Sequence, residues 1–210
     1  MKVAILSESQ TDEEAIRVLV SGILGRQTQP VEYFQPRSRG WPSILDVLPT
    51  VLMHLYYRTD AEALVVVADS DDSPVHAVSH EQPDGVEKDC RLCKLRHAVV
   101  QTQQKLSPVA GRQKIKTAVG LAVPAIEAWY LCGRDPQVSE SAWQRGIQSR
   151  PGSFARKQLK QAVYGSEFLP EGQARRRAIE ESQRLANDLT LLQTLFPGGF
   201  GALARDLRNW

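Results

Sequence analysis

Three carboxylates, Asp69, Asp71 and Asp72, close the aliphatic run Leu64-Val65-Val66-Val67-Ala68. In extended backbone Asp69 and Asp71 point to the same side. Two ionised carboxylates held that close repel unless a proton or a cation comes between them. An oxygen-preferring divalent ion, Mg²⁺ or Mn²⁺, suits such a pair. Two further acidic groups also follow apolar runs. Glu8 and Asp12 come after Val3-Ala4-Ile5-Leu6, and Glu127 comes just past residues 116–123 and Pro124. Each has an ordinary explanation: Asp12, Glu13 and Glu14, or Glu127, can complement the positive end of a helix dipole, and Asp72 or Ser73 can cap a helix. Their common position is harder to explain that way, because four or five carboxylates gathered without a cation destabilise a fold.

A second group has the spacing of metal ligands. Cys90-Arg91-Leu92-Cys93 is followed by His97, and His76 or His80 upstream could complete a Cys₂His₂ set. Zinc there would staple a polar loop onto a helix. The alternative is two cysteines on one helical turn beside unrelated histidines. A thiol-redox role fits less well, since the motif does not follow a first βαβ strand. Cys132 reads as a small core residue. Arg37, Arg39 and the run Arg175-Arg176-Arg177 could follow a nucleic-acid backbone, although such a run also suits a solvated helix face. Trp129 and Trp143 read as packing residues.

The elements that must position these groups follow from periodicity. Leu64 to Ala68, apolar without alternation, reads as a strand buried on both faces. Residues 3–6, 31–34 and 116–123 supply three more strands. A helix is expected from Thr11, with Glu14 closing a capping box, Ile16, Leu19, Val20, Ile23 and Leu24 as its inner stripe, and Gly25 as its stop. Further helices are expected over 44–57, where Pro49 should start or kink the helix, and over 90–106 and 125–131. Residues 73–89 read as a loop. Beyond Gly133 the pattern is helical, near 139–147, 154–163, 172–195 and 200–208. Strands alternating with helices imply an α/β fold, a parallel sheet of about four strands with right-handed crossovers. The expected organisation is an α/β domain over residues 1–133 and a helical extension over 134–210 packed on it. In such sheets ligands bind at the carboxyl ends of the strands.

With 210 residues, 42% of them hydrophobic and 24% charged, the chain can build a packed core. A formal net charge of +2 names no partner. No segment has the length and apolarity of a membrane helix. The N-terminal apolar run is too short for a signal peptide, and three cysteines do not make a disulfide framework, so the expected location is the cytoplasm.

The motifs Leu6-Ser7-Glu8-Ser9-Gln10-Thr11-Asp12-Glu13, Ala68-Asp69-Ser70-Asp71 and Pro124-Ala125-Ile126-Glu127-Ala128-Trp129-Tyr130-Leu131 together resemble the Toprim fold. More narrowly, they resemble small Toprim-like proteins of the DUF4276 type, relatives of the nuclease domain of OLD-family endonucleases. The C-terminal stretch from Phe200 to Trp210 also resembles the way such proteins end. The resemblance implies Glu8, Asp12, Asp69, Asp71 and Glu127 as ligands of Mg²⁺ or Mn²⁺, with Glu8 a ligand or general base. It implies a catalytic lysine, for which Lys157 and Lys160 are the candidates. The implied activity is hydrolysis of nucleic-acid phosphodiester bonds, with DNA ranked ahead of RNA, in phage defence or a mobile element. A partner protein such as an ATPase is also implied, because this chain has no Gly-x-x-x-x-Gly-Lys-Ser/Thr motif of its own. Ser9 stands where the family has glycine, Asp12 where it has glutamate, and Ala125 where OLD nucleases have serine.

Two other readings compete. One is a non-catalytic Toprim-like module that binds metal, nucleic acid or a partner protein. The other is an aspartyl-nucleophile phosphatase, which would place its Asp-x-Asp after the first strand rather than the third.

Overall fold

The computed structural model describes residues 1–32, 40–82, 87–149, 156–166 and 169–210. Four strands, β1 (Lys2–Leu6), β2 (Gln29–Pro30), β3 (Ala63–Asp69) and β4 (Lys116–Ala122), form one sheet in the order β2-β1-β3-β4. All three pairings are parallel. Every residue of β3 is buried, as its uninterrupted apolar sequence requires. The second strand is shorter and earlier than expected. Residues 33 and 34, like Arg37 and Arg39, lie outside the described residues.

Alternation along the strands sorts the core into two layers. Val65 and Val67 of β3 face one apolar cluster, and Leu64, Val66 and Ala68 face the other. The first cluster takes in α1 (Gln10–Leu24), α4 (Ile126–Tyr130), α7 (Glu171–Ala186), α8 (Leu189–Leu195) and α9 (Phe200–Arg208). The second takes in α2 (Trp41–Arg58) and α3 (Arg91–Lys105). The C-terminal helices therefore bury their apolar stripes in the same layer as α1 and the sheet. Trp129 stacks edge-on against Phe200, with ring centroids 5.1 Å apart, and Cys132 is buried. Two more helices, α5 (Glu140–Ser149) and α6 (Arg156–Tyr164), complete the described elements.

Several boundaries differ from expectation for identifiable reasons. Helix α1 begins at Gln10, one residue before the expected Thr11, because Ser9 caps it by accepting from the Thr11 amide. Glu14 pairs with Arg175 of α7 instead of reaching back to Thr11. Pro49 lies inside α2, which buries Ile44, Leu48, Val51, Leu52 and Leu55 on either side of it. The expected helix over 172–195 is two helices. Asp188 caps α8 by accepting from the Leu191 amide at 3.0 Å. The expected loop 73–89 contains a 3-10 turn, Val78–Glu81.

Glycines permit two close approaches. A Cβ on Gly199 would sit 1.8 Å from the Leu121 carbonyl oxygen, and one on Gly198 2.0 Å from that of His76. The amides of both glycines donate to the buried carboxylate of Glu140, at 2.7 and 2.6 Å. The entry to α9 is thereby fastened to the start of α5 and packed closely against β4 and the segment that carries His76.

Candidate functional site

The carboxyl ends of β1, β3 and β4 lie along one edge, since Leu6 pairs with Val66 and Asp69 with Ala122. Glu8, two residues past β1, accepts from the Asp69 amide through Oε1 at 3.0 Å. Asp69 is the last residue of β3 and is 8% exposed. Its Oδ1 accepts from the Ile126 amide at 3.0 Å. It thus caps α4, whose own cap residue Ala125 has no side-chain acceptor. Amides of Ser70 and Asp71 donate to Ala122 and Pro124 carbonyls, at 2.8 and 2.9 Å. Asp71 has a φ of 44°, in the left-handed region. The chain turns there, and the Asp69 and Asp71 carboxylates both reach the Arg156 guanidinium.

Two arginines absent from the sequence-based site enter among these carboxylates. Arg156, the first residue of α6, contacts Asp69 Oδ2 and lies 3.8 Å from Glu8 Oε2 and 3.3 Å from Asp71 Oδ1. Arg91, the first residue of α3, donates through Nη1 to the Asp69 carbonyl at 2.8 Å and to Asp71 Oδ2 at 2.7 Å. Its guanidinium also lies over the Trp41 ring, 5.0 Å from the centroid. Of the two candidate lysines, Lys160 acts electrostatically on Asp12 and Glu127. Lys157 is on the exposed side of α6. The sequence carries two indirect signals for the arginines, neither of them in the spacing of the acids. Arg156 and Lys160 are four residues apart and share a helix face. Arg91 is a cation in the first turn of a helix that has no acid there, a placement the dipole disfavours unless a carboxylate waits opposite.

Burial sets the electrostatics. It pushes the Asp12 carboxyl up to about 7, and the charge of Glu127 adds to this. The Tyr130 hydroxyl, which donates to Asp12 Oδ1 at 3.4 Å, and the Lys160 ammonium act the other way. Glu127 is also raised by burial, and its Oε2 is buried with no hydrogen-bond partner among the described residues. Burial raises Glu8 as well; Arg156 opposes this and the charge of Asp71 reinforces it. Burial together with these acids keeps the Tyr130 and Tyr164 hydroxyls protonated. Five carboxylates therefore face three cations, Arg91, Arg156 and Lys160. The expected acidic groups do meet along one edge, and guanidinium groups bridge three of them. The donors are all oxygens and several are desolvated, chemistry that suits a hard divalent cation, but among the described residues no three of these carboxylates offer oxygens close enough together to share one ion as they stand.

The cysteines and histidines form a separate cluster on the other side of the sheet, under the start of α3. His76 Nδ1 lies 3.5 Å from Cys90 Sγ and 3.6 Å from Cys93 Sγ, and His80 Nδ1 lies 3.9 Å from Cys93 Sγ. Four ligand atoms from His76, His80, Cys90 and Cys93 fall within 4.8 Å of one another, so the group could hold a metal ion. Among the described residues no other set of three or more His, Cys, Asp or Glu is gathered so closely. His97 is not part of it. One turn farther along α3, about 6 Å up the axis from Cys93, it lines a neighbouring cavity of about 480 Å³ with His80, Cys93 and Arg205. Both upstream histidines take part, not one. Behind His76, Glu81 Oε1 lies 3.3 Å from Nε2 and also accepts from Arg96 and Arg205. Burial raises Glu81, but these hydrogen bonds outweigh it and bring the carboxyl down to about 2.

Two arginines of the run are engaged within the chain. Arg175 pairs with Glu14 and Arg177 with Glu180. Among the described residues no helix is long and apolar enough to cross a membrane. No family model, curated protein or solved structure matches the chain.

Proposed function

We propose that the carboxylate edge binds Mg²⁺ or Mn²⁺ and hydrolyses phosphodiester bonds of a nucleic acid, as the Toprim-like motifs imply. The observation that carries this reading is the buried Oε2 of Glu127, which has no partner among the described residues, beside an Asp12 carboxyl raised to about 7. Desolvated anionic oxygens without a partner are costly in a purely structural role and are relieved by a bound cation. Glu8, Asp12, Asp69, Asp71 and Glu127 would hold the metal. When bound, it would lower the pKa of a water and stabilise the leaving oxygen. Arg156, 46% exposed at its side chain, is free to exchange its carboxylates for a phosphate oxygen. It is the natural group to neutralise charge developing on the phosphate, with Lys160 one turn behind it.

Nicking of supercoiled plasmid in Mg²⁺ or Mn²⁺ tests the proposal. Asp69→Asn keeps an oxygen for the Ile126 amide, so it should fold like the wild type and lose about 100-fold or more in rate. Manganese binding without nicking would favour the non-catalytic module. Neither binding nor nicking would contradict both.

For the second cluster we propose zinc in a structural role. With Zn–N about 2.05 Å and Zn–S about 2.3 Å, a tetrahedron has N···S edges of about 3.6 Å. The observed separations are 3.5, 3.6 and 3.9 Å. With a proton on Nε2 facing Glu81, His76 presents the Nδ1 lone pair to the sulfurs, the arrangement common to histidines that ligate metal.

A further inference from the structure

The two sites are joined by a single residue. Cys90 is the N-cap of α3, Arg91 is its first residue, and Cys93 lies in the same turn. The turn that supplies both sulfurs to one cluster therefore also sends the Arg91 guanidinium into the other. No side-chain cap holds this helix end, and its first turn carries a cation against the dipole. Arg91 nevertheless makes two short charge-assisted contacts, to the Asp69 carbonyl and to Asp71 Oδ2. Asp71, in turn, is held at a left-handed φ that a non-glycine residue rarely adopts unless its surroundings fix it. Something must secure the start of α3 for this chain of contacts to persist.

We propose that a zinc ion on His76, His80, Cys90 and Cys93 clamps the first turn of α3 and thereby holds Arg91 on the Asp69–Asp71 turn, making Arg91 a positioning residue for the carboxylate edge. The proposal rests on the zinc reading of the cluster but not on catalysis at the carboxylates. Binding displaces the two thiol protons, and the cysteines ligate as thiolates. The clamp bears on a loop from both directions. His76 and His80 come from the segment that follows Asp71, so the ion also closes the chain leaving the acidic turn back onto α3. The His76 carbonyl packs on Gly198, and Glu81, behind His76, is tied through Arg96 to Asp206 of α9. The ion would thus sit on a braced platform.

Two measurements on the full chain separate the zinc reading from the coupling. Cobalt substituted for zinc should give the visible d–d bands and thiolate charge-transfer absorption of a tetrahedral S₂N₂ site, and Cys93→Ser should lose them. Amide exchange of the Ser70–Ser73 turn should then be about tenfold slower in zinc-loaded than in zinc-free protein, while exchange in the centre of β3 stays unchanged. Arg91→Ala should keep the cobalt spectrum and diminish the zinc effect on the turn to the part carried through His76 and His80. Absence of the cobalt spectrum overturns the zinc reading and the coupling with it. A normal spectrum with zinc-independent exchange of the turn, or with an undiminished zinc effect in Arg91→Ala, overturns the coupling alone.

Discussion

Asp12 is the residue whose chemistry reaches farthest. Its carboxyl titrates near 7 because burial and the Glu127 charge penalise the ionised form. A metal ion must displace that proton, so metal affinity should rise as pH rises through 7. Manganese titration followed by electron paramagnetic resonance at pH 5.5 and pH 8 should show affinity stronger by about tenfold or more at the higher pH. In Asp12→Asn the pH effect should shrink. The placement of the acids along one edge was legible in the sequence, because Asp69 ends an apolar run and Glu8, Asp12 and Glu127 lie within six residues of the end of one. The arginines were not. Arg156 and Arg91 take part through tertiary placement: α6 and α3 each deliver a first residue to the edge, and nothing in the spacing of the acids points to either. His97 failed for the opposite reason. Its spacing after Cys93 looks like a ligand's, but a helix carries it one turn past the cluster.

At the scale of elements, the entry to α9 is the most sharply constrained joint. Gly199→Ala would drive a Cβ into the Leu121 carbonyl at the end of β4. Thermal unfolding should show a loss of about 3 kcal/mol or more, the range for strain that the backbone must relieve. Glu140→Ala leaves two buried glycine amides without their acceptor and should cost about 2 kcal/mol. These contacts hold the platform on which His76 rests, so both variants should also weaken metal binding at the cysteines. The strands and most helices could be read from hydrophobic periodicity, since β3 and the stripe of α1 are dictated by burial. What escaped were caps. Ser9 rather than Thr11 starts α1, and Asp188 splits α7 from α8, because a cap depends on which nearby amide a short side chain happens to reach.

For the whole molecule, buried carboxyls at the carboxylate edge and at the entry to α9 make stability depend on pH in an unusual direction. Asp12 and Glu140 have folded-state carboxyls near 7, and Glu127 is raised too. An acid whose pKa is higher folded than unfolded binds more protons in the native state, so stability falls as pH rises from its unfolded value through its folded one. Metal-free protein should therefore melt at lower temperature at pH 8 than at pH 5.5, and saturating Mn²⁺ should reduce the difference by stabilising the ionised form. An equal slope with and without manganese would count against the ion lying near Asp12. The most direct test of the central claim is anomalous scattering from crystals soaked in Mn²⁺. A peak about 2.1 Å from oxygens of Asp69, Asp71 and Glu8 or Glu127, with Arg156 moved off Asp69, is the predicted result. Arg156 still seated on Asp69, with no manganese among these carboxylates at saturating concentration, would contradict it.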